Sequence, residues 1–219
     1  MKVYDMEQKS EAWFQIKNKR IGGSSAHTLT TTAKFKTAKM DLISQHLEPF
    51  IYDEDDANRK LSKDVERGNE YEPLAREYLC DYTGLEFHEH GWLQSDIDVL
   101  GLSPDGCSAG FSQSAEFKCP SRAVHTSYIF GGEKIPTVYF WQNISYFAVI
   151  PQLQNHYFMS YRPECSIPAH IITLERDTIT MFGNSKATVQ EWADKLRKEA
   201  IRMNMEVTEA VYELTKRRF

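Results

Sequence analysis

Residues 103–120 read SPDGCSAGFSQSAEFKCP, and this stretch gives the strongest prediction of both fold and chemistry in the chain. The turn sequence SPDG precedes a strand-like segment that ends in EFK. Side chains alternate across a β-strand, so Glu116 and Lys118 are expected on one face and Phe117 on the other. Asp105, in the turn, is expected to meet them from the paired strand. The pattern therefore predicts a hairpin that gathers two carboxylates and one ammonium.

The predicted cluster has the composition of a magnesium site. Two carboxylates at one point repel each other unless a hard cation lies between them. Mg²⁺ commonly takes one or two carboxylates with several waters, and the Phe117 carbonyl oxygen is a further candidate ligand. Such a site suits phosphodiester hydrolysis. Lys118 is expected to position or deprotonate the attacking water, or to stabilise developing charge; as a base it would have to be partly neutral. Without other evidence, a carboxylate and a lysine two positions apart on a strand, such as Glu116 and Lys118, are more often solvated surface residues.

Two polar side chains lie within predicted helices. Glu72 falls on the apolar face of a helix predicted over residues 68–82, where a carboxylate is rarely buried without a partner. That face comprises Tyr71, Ala75, Tyr78, Leu79 and Tyr82. A salt bridge to Arg76 or a capping role explains Glu72, and a third carboxylate aimed at the metal pair explains its placement better. Gln142 interrupts an apolar helix predicted over residues 138–149, and a contact to a core backbone group explains it about as well.

A Gly-Gly-Ser-Ser sequence ahead of Ala26 has the character of an anion cradle. Small residues let backbone N–H groups approach a phosphate, and the N-terminus of a following helix adds partial positive charge. Ser24 or Ser25 is expected to cap a helix that begins near Ala26. Lys17 and Arg20 lie just upstream and would supply positive charge to the same phosphate. A plain turn with an N-cap remains the alternative.

The order of predicted elements is helix, helix, sheet, helix, strands, helix. One domain is expected over residues 1–219, with a helical part over about 1–84, a sheet-containing core over about 85–175 and C-terminal helices over about 185–215. This order predicts an α/β (α+β) fold with helices on the faces of a mixed sheet. Helices are predicted at 13–17, 39–47, 68–82 and 138–149, and strands at 87–93, 99–102, 115–119, 156–161 and 170–174. The acidic run at 53–56 is expected to be a solvated loop.

The composition is that of an ordinary globular protein, with 41% hydrophobic and 26% charged residues. The formal net charge of −5 argues against a protein that coats nucleic acid through bulk charge. It leaves room for a DNA enzyme whose basic residues line one groove. No apolar run approaches the length of a membrane span, and no signal-peptide core follows Met1, so a cytoplasmic protein is expected.

The cysteines show no CxxC pair and no zinc-like grouping, so reduced thiols are expected. They are Cys80, Cys107, Cys119 and Cys165. A zinc site built on His88 and His90 is a further alternative. It has little support, because no cysteine pair and no third histidine lies near in the sequence.

In their order and spacing, the motifs resemble those of the lambda-exonuclease (YqaJ-type viral recombinase) family of the PD-(D/E)-x-K nuclease superfamily. They are Trp13; IGGS at 21–24; Gly68; Tyr71 and Glu72; SPDG at 103–106; EFKCP at 116–120; and Gln142 after Tyr139. No single motif is specific, and the combination carries the resemblance. It implies a restriction-endonuclease-like core, with a central mixed sheet flanked by helices.

The resemblance implies Mg²⁺-dependent, processive 5′-to-3′ digestion of one strand of linear double-stranded DNA, which leaves a 3′ overhang. Asp105 and Glu116 would bind Mg²⁺ together with the Phe117 carbonyl oxygen. Two ions are expected, and Mn²⁺ is expected to substitute. Glu72 would hold a metal-bound water or the second ion, and Lys118 would act on the attacking water.

The same resemblance implies that Ser24 contacts the 5′ phosphate of the digested strand, with Ser25, Lys17 and Arg20 in the same cluster. Family members usually carry arginine at the position of Lys17. Lysine keeps the charge but loses the bidentate fork, so Arg20 is an alternative clamp. Gln142 would complete the catalytic core from its helix.

The resemblance further implies a ring-shaped homotrimer that threads duplex DNA, a single-strand annealing protein as partner in phage recombination, and a location in the cytoplasm of a bacterial host. Little base preference is expected, because a clamp on the chain end contacts phosphate. Two alternatives remain open. One is a restriction-like or junction-cutting endonuclease on the same core, and the other is an inert DNA-binding scaffold for recombination.

Overall fold

The computed structural model describes residues 1–48 and 63–216. The acidic run at 53–56, expected to be a loop, lies outside these residues. The α-helices within them are α1 (Glu11–Lys17), α2 (Thr32–Leu47), α3 (Lys63–Thr83), α4 (Arg122–Gly131), α5 (Phe140–Val149) and α6 (Val189–Lys216). Two 3₁₀ segments cover Gly23–Thr30 and Thr137–Tyr139.

The described strands form a central four-stranded sheet and two smaller sheets. They are β1 (Lys2–Tyr4), β2 (Trp92–Gln94), β3 (Gly101–Leu102), β4 (Gly106–Cys107), β5 (Gln113–Lys118), β6 (Asn155–Tyr161), β7 (Ala169–Leu174), β8 (Ile179–Phe182) and β9 (Ser185–Thr188). The central sheet has the order β4-β5-β6-β7, in which only β5 and β6 pair in parallel among these described strands. The predicted mixed sheet flanked by helices is therefore confirmed.

Alternate residues of β5 pack against different helices. Ala115 and Phe117 join Ala75 and Leu79 of α3 in one small apolar cluster. Glu116 points the other way and contacts side chains of α5. A parallel strand pair needs a crossover connection, and α4 and α5 form the one between β5 and β6. The crossover is what places α5 over the Glu116 face, as the strand alternation predicts.

Helix α3 ends as predicted but buries a narrower face. Ala75 and Leu79 are buried, whereas Tyr82 is 66% exposed, so its prediction as part of the apolar face is wrong. Gly84 has φ +70° and donates its N–H to the Cys80 carbonyl at 2.8 Å. Glycine adopts this left-handed conformation without strain, which closes the helix.

The strand predicted over residues 87–93 is wrong in its extent. Only Trp92–Gln94 is a strand here, and it pairs with β1 and β3 in a separate antiparallel sheet. His88 makes one isolated bridge to Cys107 of the central sheet. Strand β1 pairs with Trp92 and Leu93, so these two residues do not extend the contact that His88 makes with β4.

The C-terminal region contains a hairpin that was predicted as helix. Residues Ser185–Thr188 form β9 and pair with β8 in an antiparallel register that matches Ile179 with Thr188. Gly183, with φ +59°, turns the chain between them. The helical prediction over 185–215 is therefore wrong for its first four residues, and one continuous helix, α6, follows.

The structure also bears on the expectations about the cysteines and about membrane-spanning segments. The cysteines Cys80, Cys107, Cys119 and Cys165 carry free thiols, as predicted. Across residues 1–48 and 63–216, no helix combines the length and the apolar character that a membrane crossing requires.

Candidate active site

Glu116, on β5, lies at the centre of the site and is 2% exposed. Its Oε1 accepts hydrogen bonds from Lys118 Nζ and from Gln142 Nε2, the latter at 2.7 Å. Its Oε2 accepts a hydrogen bond from the Tyr146 hydroxyl, also at 2.7 Å. A buried carboxylate needs charged or polar partners of this kind. Strand β5 and helix α5 together therefore fix the position of Glu116.

Asp105 meets β5 from the turn that precedes β4, as predicted. Its Oδ2 accepts a hydrogen bond from the Phe117 N–H at 2.8 Å. Burial raises the pKa of Asp105 well above its usual range, and the charge of Glu116 raises it further, while Lys118 opposes both. The two carboxylates are thus close enough to repel each other, which is the condition that a hard cation relieves.

Lys118 lies between the two carboxylates and the ring of Tyr139. Its Nζ bonds to Glu116 and lies 5.0 Å from the centre of the Tyr139 ring. Burial works against the charged form, but Glu116 and Asp105 outweigh it and raise the pKa of Lys118 above its ordinary value. The partly neutral amine expected of a base is not what this geometry favours. The arrangement suits a cation that orients water or stabilises charge.

Glu72 of α3 makes the salt bridge that is one of the alternatives given for it. Its Oε1 lies 3.3 Å from Arg76 NH2, so the salt bridge is present. Its side chain also lines the same cavity as Asp105 and Lys118. Burial raises the pKa of Glu72, and Arg76 lowers it. Arg76 reaches further, donating from Nε to the Asp105 carbonyl at 2.9 Å, so it joins α3 to the turn before β4.

A cavity of about 490 Å³ opens over the end of β5. Its acidic and basic floor is formed by Glu72, Asp105 and Lys118. The wall contributed by the α4 region is mainly apolar and aromatic. It comprises Pro120, Val124, Tyr128 and Tyr139. The cavity thus combines titratable side chains with a mainly apolar and aromatic wall.

A second cavity, of about 190 Å³, is lined in part by Glu116. It is lined by Lys17, Gly22, Gly23 and Ser24, together with Glu116, Gln142 and others. Lys17 Nζ lies 4.1 Å from the centre of the Trp13 ring. Burial lowers the pKa of Lys17, and the charge of Lys9 lowers it further. The predicted anion cradle therefore lies beside Glu116, although the two segments are far apart in sequence.

The local structure of the cradle differs from the prediction. The segment after Gly22 is a 3₁₀ helix whose N-cap is Gly22, so the expected helix near Ala26, capped by Ser24 or Ser25, is not found. The Ser25 side chain instead accepts a hydrogen bond from the Gly22 N–H at 3.0 Å, which closes the turn. A Cβ on Gly23 would lie 3.1 Å from the Ser145 Oγ, so α5 packs tightly against this glycine.

Arg20 is not brought to the cradle. Its NH2 group forms a salt bridge with Asp98 at 2.9 Å, and NH1 donates to the Ile16 carbonyl at 3.0 Å. Ser25 is likewise engaged within its own turn. Of the four residues predicted to bind the phosphate, Lys17 and Ser24 line the second cavity, while Arg20 and Ser25 have other partners.

The donor groups fit a magnesium ion held by two carboxylates rather than three. Among the residues that the structure describes, no three His, Cys, Asp or Glu side chains lie close enough to hold one ion, which also disfavours zinc at His88 and His90. Asp105 and Glu116 remain, with the Phe117 carbonyl next to them. Mg²⁺ typically takes one or two carboxylates and completes its shell with water, so this donor set suits it.

Sequence reasoning missed Tyr146 and Tyr139 as parts of the site. Tyr146 lies four residues after Gln142, on the same face of α5. That spacing was the available signal, but an aromatic residue in an apolar helix is usually core. Tyr139 precedes α5, and its ring contacts Lys118.

The sheet order and the acidic end of β5 define a restriction-endonuclease-like fold. The family model of the YqaJ-like viral recombinase domain matches residues 12–151, more than half of the chain, and the chain belongs to this family. No curated protein sequence matches the chain.

Solved structures share the fold over nearly the whole chain. An alkaline exonuclease (LHK-Exo) from Laribacter hongkongensis is 22% identical with a TM-score of 0.74, and the match covers 95% of this chain and 97% of that one. LHK-Exo in complex with dAMP gives 22% identity and a TM-score of 0.73 over the same shares. A phage-related exonuclease from Haemophilus somnus 129PT is 11% identical with a TM-score of 0.52, covering 91% of this chain and 96% of that one.

Proposed function

We propose that the chain is a Mg²⁺-dependent deoxyribonuclease that digests one strand of linear double-stranded DNA from its 5′ end and leaves a 3′ overhang. One observation carries this proposal: Lys118, which lines the same cavity as Asp105, is hydrogen-bonded to Glu116, which lines the cavity of the Ser24 cradle. Two of the structural neighbours, an alkaline exonuclease and a phage-related exonuclease, support the same class of activity.

Asp105, Glu116 and the Phe117 carbonyl are the groups that would hold the metal ion. Glu72, which lines the same cavity as Asp105, would hold a metal-bound water or a second ion. Bound Mg²⁺, or Mn²⁺ in its place, lowers the pKa of water and neutralises the non-bridging phosphate oxygens. Gln142 and Lys118 would keep Glu116 in the orientation that this task requires.

Lys118 would act as a cation beside the reacting phosphate. Its pKa is raised by Glu116 and Asp105, so it stays protonated at neutral pH. A fixed ammonium stabilises negative charge that develops on phosphate oxygens, and it orients an attacking water through its N–H groups. The cavity wall of Val124, Tyr128 and Tyr139 lowers the local polarity, which strengthens that interaction.

The second cavity would bind the terminal 5′ phosphate. The Ser24 hydroxyl and the Lys17 ammonium are side-chain donors there, and the small residues Gly22 and Gly23 let a phosphate approach the backbone. A cradle that holds only a chain end gives direction to digestion without reading bases. Its volume of about 190 Å³ suits a phosphate rather than a whole nucleotide.

End-labelled DNA tests polarity directly. Linear duplexes carrying the label at either the 5′ or the 3′ end are incubated with the protein and Mg²⁺. We expect the 5′ label to be released first as a mononucleotide, while the 3′ label stays in long products. Earlier release of the 3′ label would contradict the proposal. Covalently closed plasmid is the control, and cutting of closed circles would favour the endonuclease alternative.

The proposal extends to processive action by a ring-shaped homotrimer that works with a single-strand annealing protein. The support is the family to which the chain belongs. Light scattering coupled to gel filtration measures the mass in solution, and three times the chain mass of 25.4 kDa is expected. Digestion in the presence of excess unlabelled trap DNA then measures processivity.

A further inference from the structure

Helix α5 offers Glu116 two donors that are one helical turn apart. Gln142 and Tyr146 stand at positions i and i+4, which lie on one face of a helix. Gln142 Nε2 donates to Oε1 and the Tyr146 hydroxyl donates to Oε2, each at 2.7 Å. The helix therefore contacts both oxygens of the carboxylate.

The Tyr146 hydroxyl has a choice of acceptors, and the carboxylate is the better one. The hydroxyl lies 2.7 Å from Glu116 Oε2 and 3.1 Å from the Ala115 carbonyl oxygen. A hydroxyl has one proton to donate, and hydrogen bonds to charged acceptors are shorter and stronger. Tyr146 is 1% exposed, so water does not compete for this proton.

A buried polar network holds the Tyr146 ring from behind. The ring lies against the His156 imidazole, with 4.1 Å between centres and planes inclined by 32°. His156 bonds through Nδ1 to the Ser114 hydroxyl and through Nε2 to Asn143 Oδ1, both at 2.8 Å. All three of these partners are fully buried. The ring is thus supported by side chains of α5, β5 and β6.

The hydrogen bonds of this network also fix the form of His156. Asn143 donates from Nδ2 to the Tyr139 carbonyl at 2.8 Å, so its Oδ1 is the acceptor for the histidine. His156 Nε2 then carries the proton, and Nδ1 accepts from Ser114. Burial lowers the pKa of His156 to about 3, so the ring is neutral. A neutral, fully bonded ring is a stable surface for Tyr146 to stack on.

We propose that Tyr146 is a positioning residue for Glu116, and that Gln142 and Tyr146 together clamp its carboxylate in the orientation that a metal ion requires. The inference rests on the proposed function. Partners of a metal ligand that fix its orientation change metal affinity or activity by about 10–100-fold when they are removed. In this clamp Oε1 is held by Gln142, with Lys118 on the same oxygen, and Oε2 is held by Tyr146.

The substitution Tyr146→Phe removes the hydroxyl and keeps the ring that stacks on His156. We expect Mn²⁺ binding to the DNA-free protein, measured by calorimetry, to weaken by about 10–100-fold. The Mn²⁺ concentration for half-maximal digestion is expected to rise by a similar factor. Tyr157→Phe is the matched control, because it removes a hydroxyl that bonds Gln113 Oε1 at 3.2 Å on the same sheet. The control is expected to match the parent in both measurements.

The outcomes separate the inference from the proposed function. If the parent binds Mn²⁺ and digests DNA, and Tyr146→Phe equals it in affinity and in half-maximal Mn²⁺, the positioning role is overturned while the nuclease proposal stands. If the parent neither binds Mn²⁺ nor digests DNA, the proposed function itself fails.

A measurement on the parent protein avoids any dependence on the folding of the variant. The buried Tyr146 hydroxyl proton should give a slowly exchanging NMR signal, identified by its proximity to the His156 ring protons. We expect this signal to shift when Mg²⁺ is added, since its acceptor is a ligand of the ion. An unchanged signal at saturating Mg²⁺, with Glu116 required for Mg²⁺ binding, would overturn the inference.

Discussion

The two sides of the candidate site hold their acidic side chains in different ways. On the α5 side, Glu116 is 2% exposed, and both of its oxygens accept hydrogen bonds at short distances. On the α3 side, Glu72 is half-buried, and one oxygen lies 3.3 Å from Arg76. Arg76 divides its donors between Glu72, Glu89 and the Asp105 carbonyl.

This difference separates a fixed acid from an adjustable one. A carboxylate with both oxygens engaged cannot rotate without breaking hydrogen bonds in a buried site, where lost bonds are costly. Arg76 lies 3.3 Å from both Glu72 and Glu89, a long distance for a charge-assisted hydrogen bond, so Glu72 is held less firmly than Glu116. We therefore infer that the α5 side supplies a preset ligand and the α3 side an acid that adapts to the bound ion or water.

The largest effect is expected on the fixed side, from Lys118→Ala. Removing a preorganised group that stabilises transition-state charge lowers kcat by about 10²–10³-fold. Single-turnover digestion of linear duplex DNA measures it. Lys186→Ala is the control, because Lys186 is exposed on the β8–β9 hairpin, away from both cavities. Parent-like digestion by Lys118→Ala would remove the lysine from the mechanism.

A smaller effect is expected from Glu72→Gln on the adjustable side. Glu72 lies outside any three-ligand cluster among the described residues, so its loss should lower the rate by about 10–100-fold, as for groups that act through a ligand or its water. Glu89→Gln is the matched control, because it contacts the same arginine but does not line the cavity. A loss as large as that of Glu116→Gln would contradict the distinction between the two sides.

Sequence reasoning predicted the carboxylates and the lysine of the fixed side better than the residues that hold them in place. Strand alternation was enough to place Asp105, Glu116 and Lys118 together, because the hairpin is local. Tyr146 was missed because an aromatic residue in an apolar helix reads as core. The true partner of Arg20 could not be foreseen, since Asp98 is 78 positions away in the sequence and is brought near only by tertiary folding.

The secondary-structure elements divide in the same way, into those predicted from their own residues and those that were missed. Helical periodicity predicted α3, and the aromatic and aliphatic character of their segments predicted β6 and β7. The β8–β9 hairpin was missed because the residues of β9, Ser185–Thr188, are half-exposed and lack the apolar alternation that marks a strand. Such a strand is stabilised by its partner, and that partner is not visible in its own residues.

The phosphate cradle adjoins the fixed side, and a more modest effect is expected there. Lys17→Met should reduce the preference for a 5′-phosphorylated end over a 5′-hydroxyl end by about tenfold, the value of one hydrogen bond to a charged group. Lys17→Arg should retain the preference. Arg20→Met is the control, because that guanidinium is held by Asp98. If Lys17→Met and Arg20→Met lose this preference equally, Arg20 also binds the 5′ phosphate.

As pH falls, the contributions of His156 and Asp105 to the stability of the fold are expected to change in opposite directions. On the α5 side, burial lowers the pKa of His156 to about 3. Below the ordinary histidine pKa of about 6.5, the unfolded chain takes up a proton that the folded ring resists, so stability falls as pH falls, by roughly 2 kcal/mol at pH 5. Urea unfolding at pH 7.5 and pH 5 measures the loss. In His156→Gln the difference between the two pH values should shrink by about that amount.

For Asp105, whose carboxylate accepts a hydrogen bond from the Phe117 N–H of β5, the sign is reversed. Burial and the charge of Glu116 raise the pKa of Asp105, so the folded protein takes up that proton more readily than the unfolded chain, and stability returns as pH falls through the folded pKa. Asp105→Asn removes the charge and should stabilise the protein more at pH 7.5 than at pH 5. Added Mg²⁺ should narrow the gap between parent and variant at pH 7.5, because an ion on the carboxylate pair relieves the same repulsion. If His156→Gln and Asp105→Asn shift the pH dependence of stability in the same direction, the opposite effects expected of these two groups are contradicted.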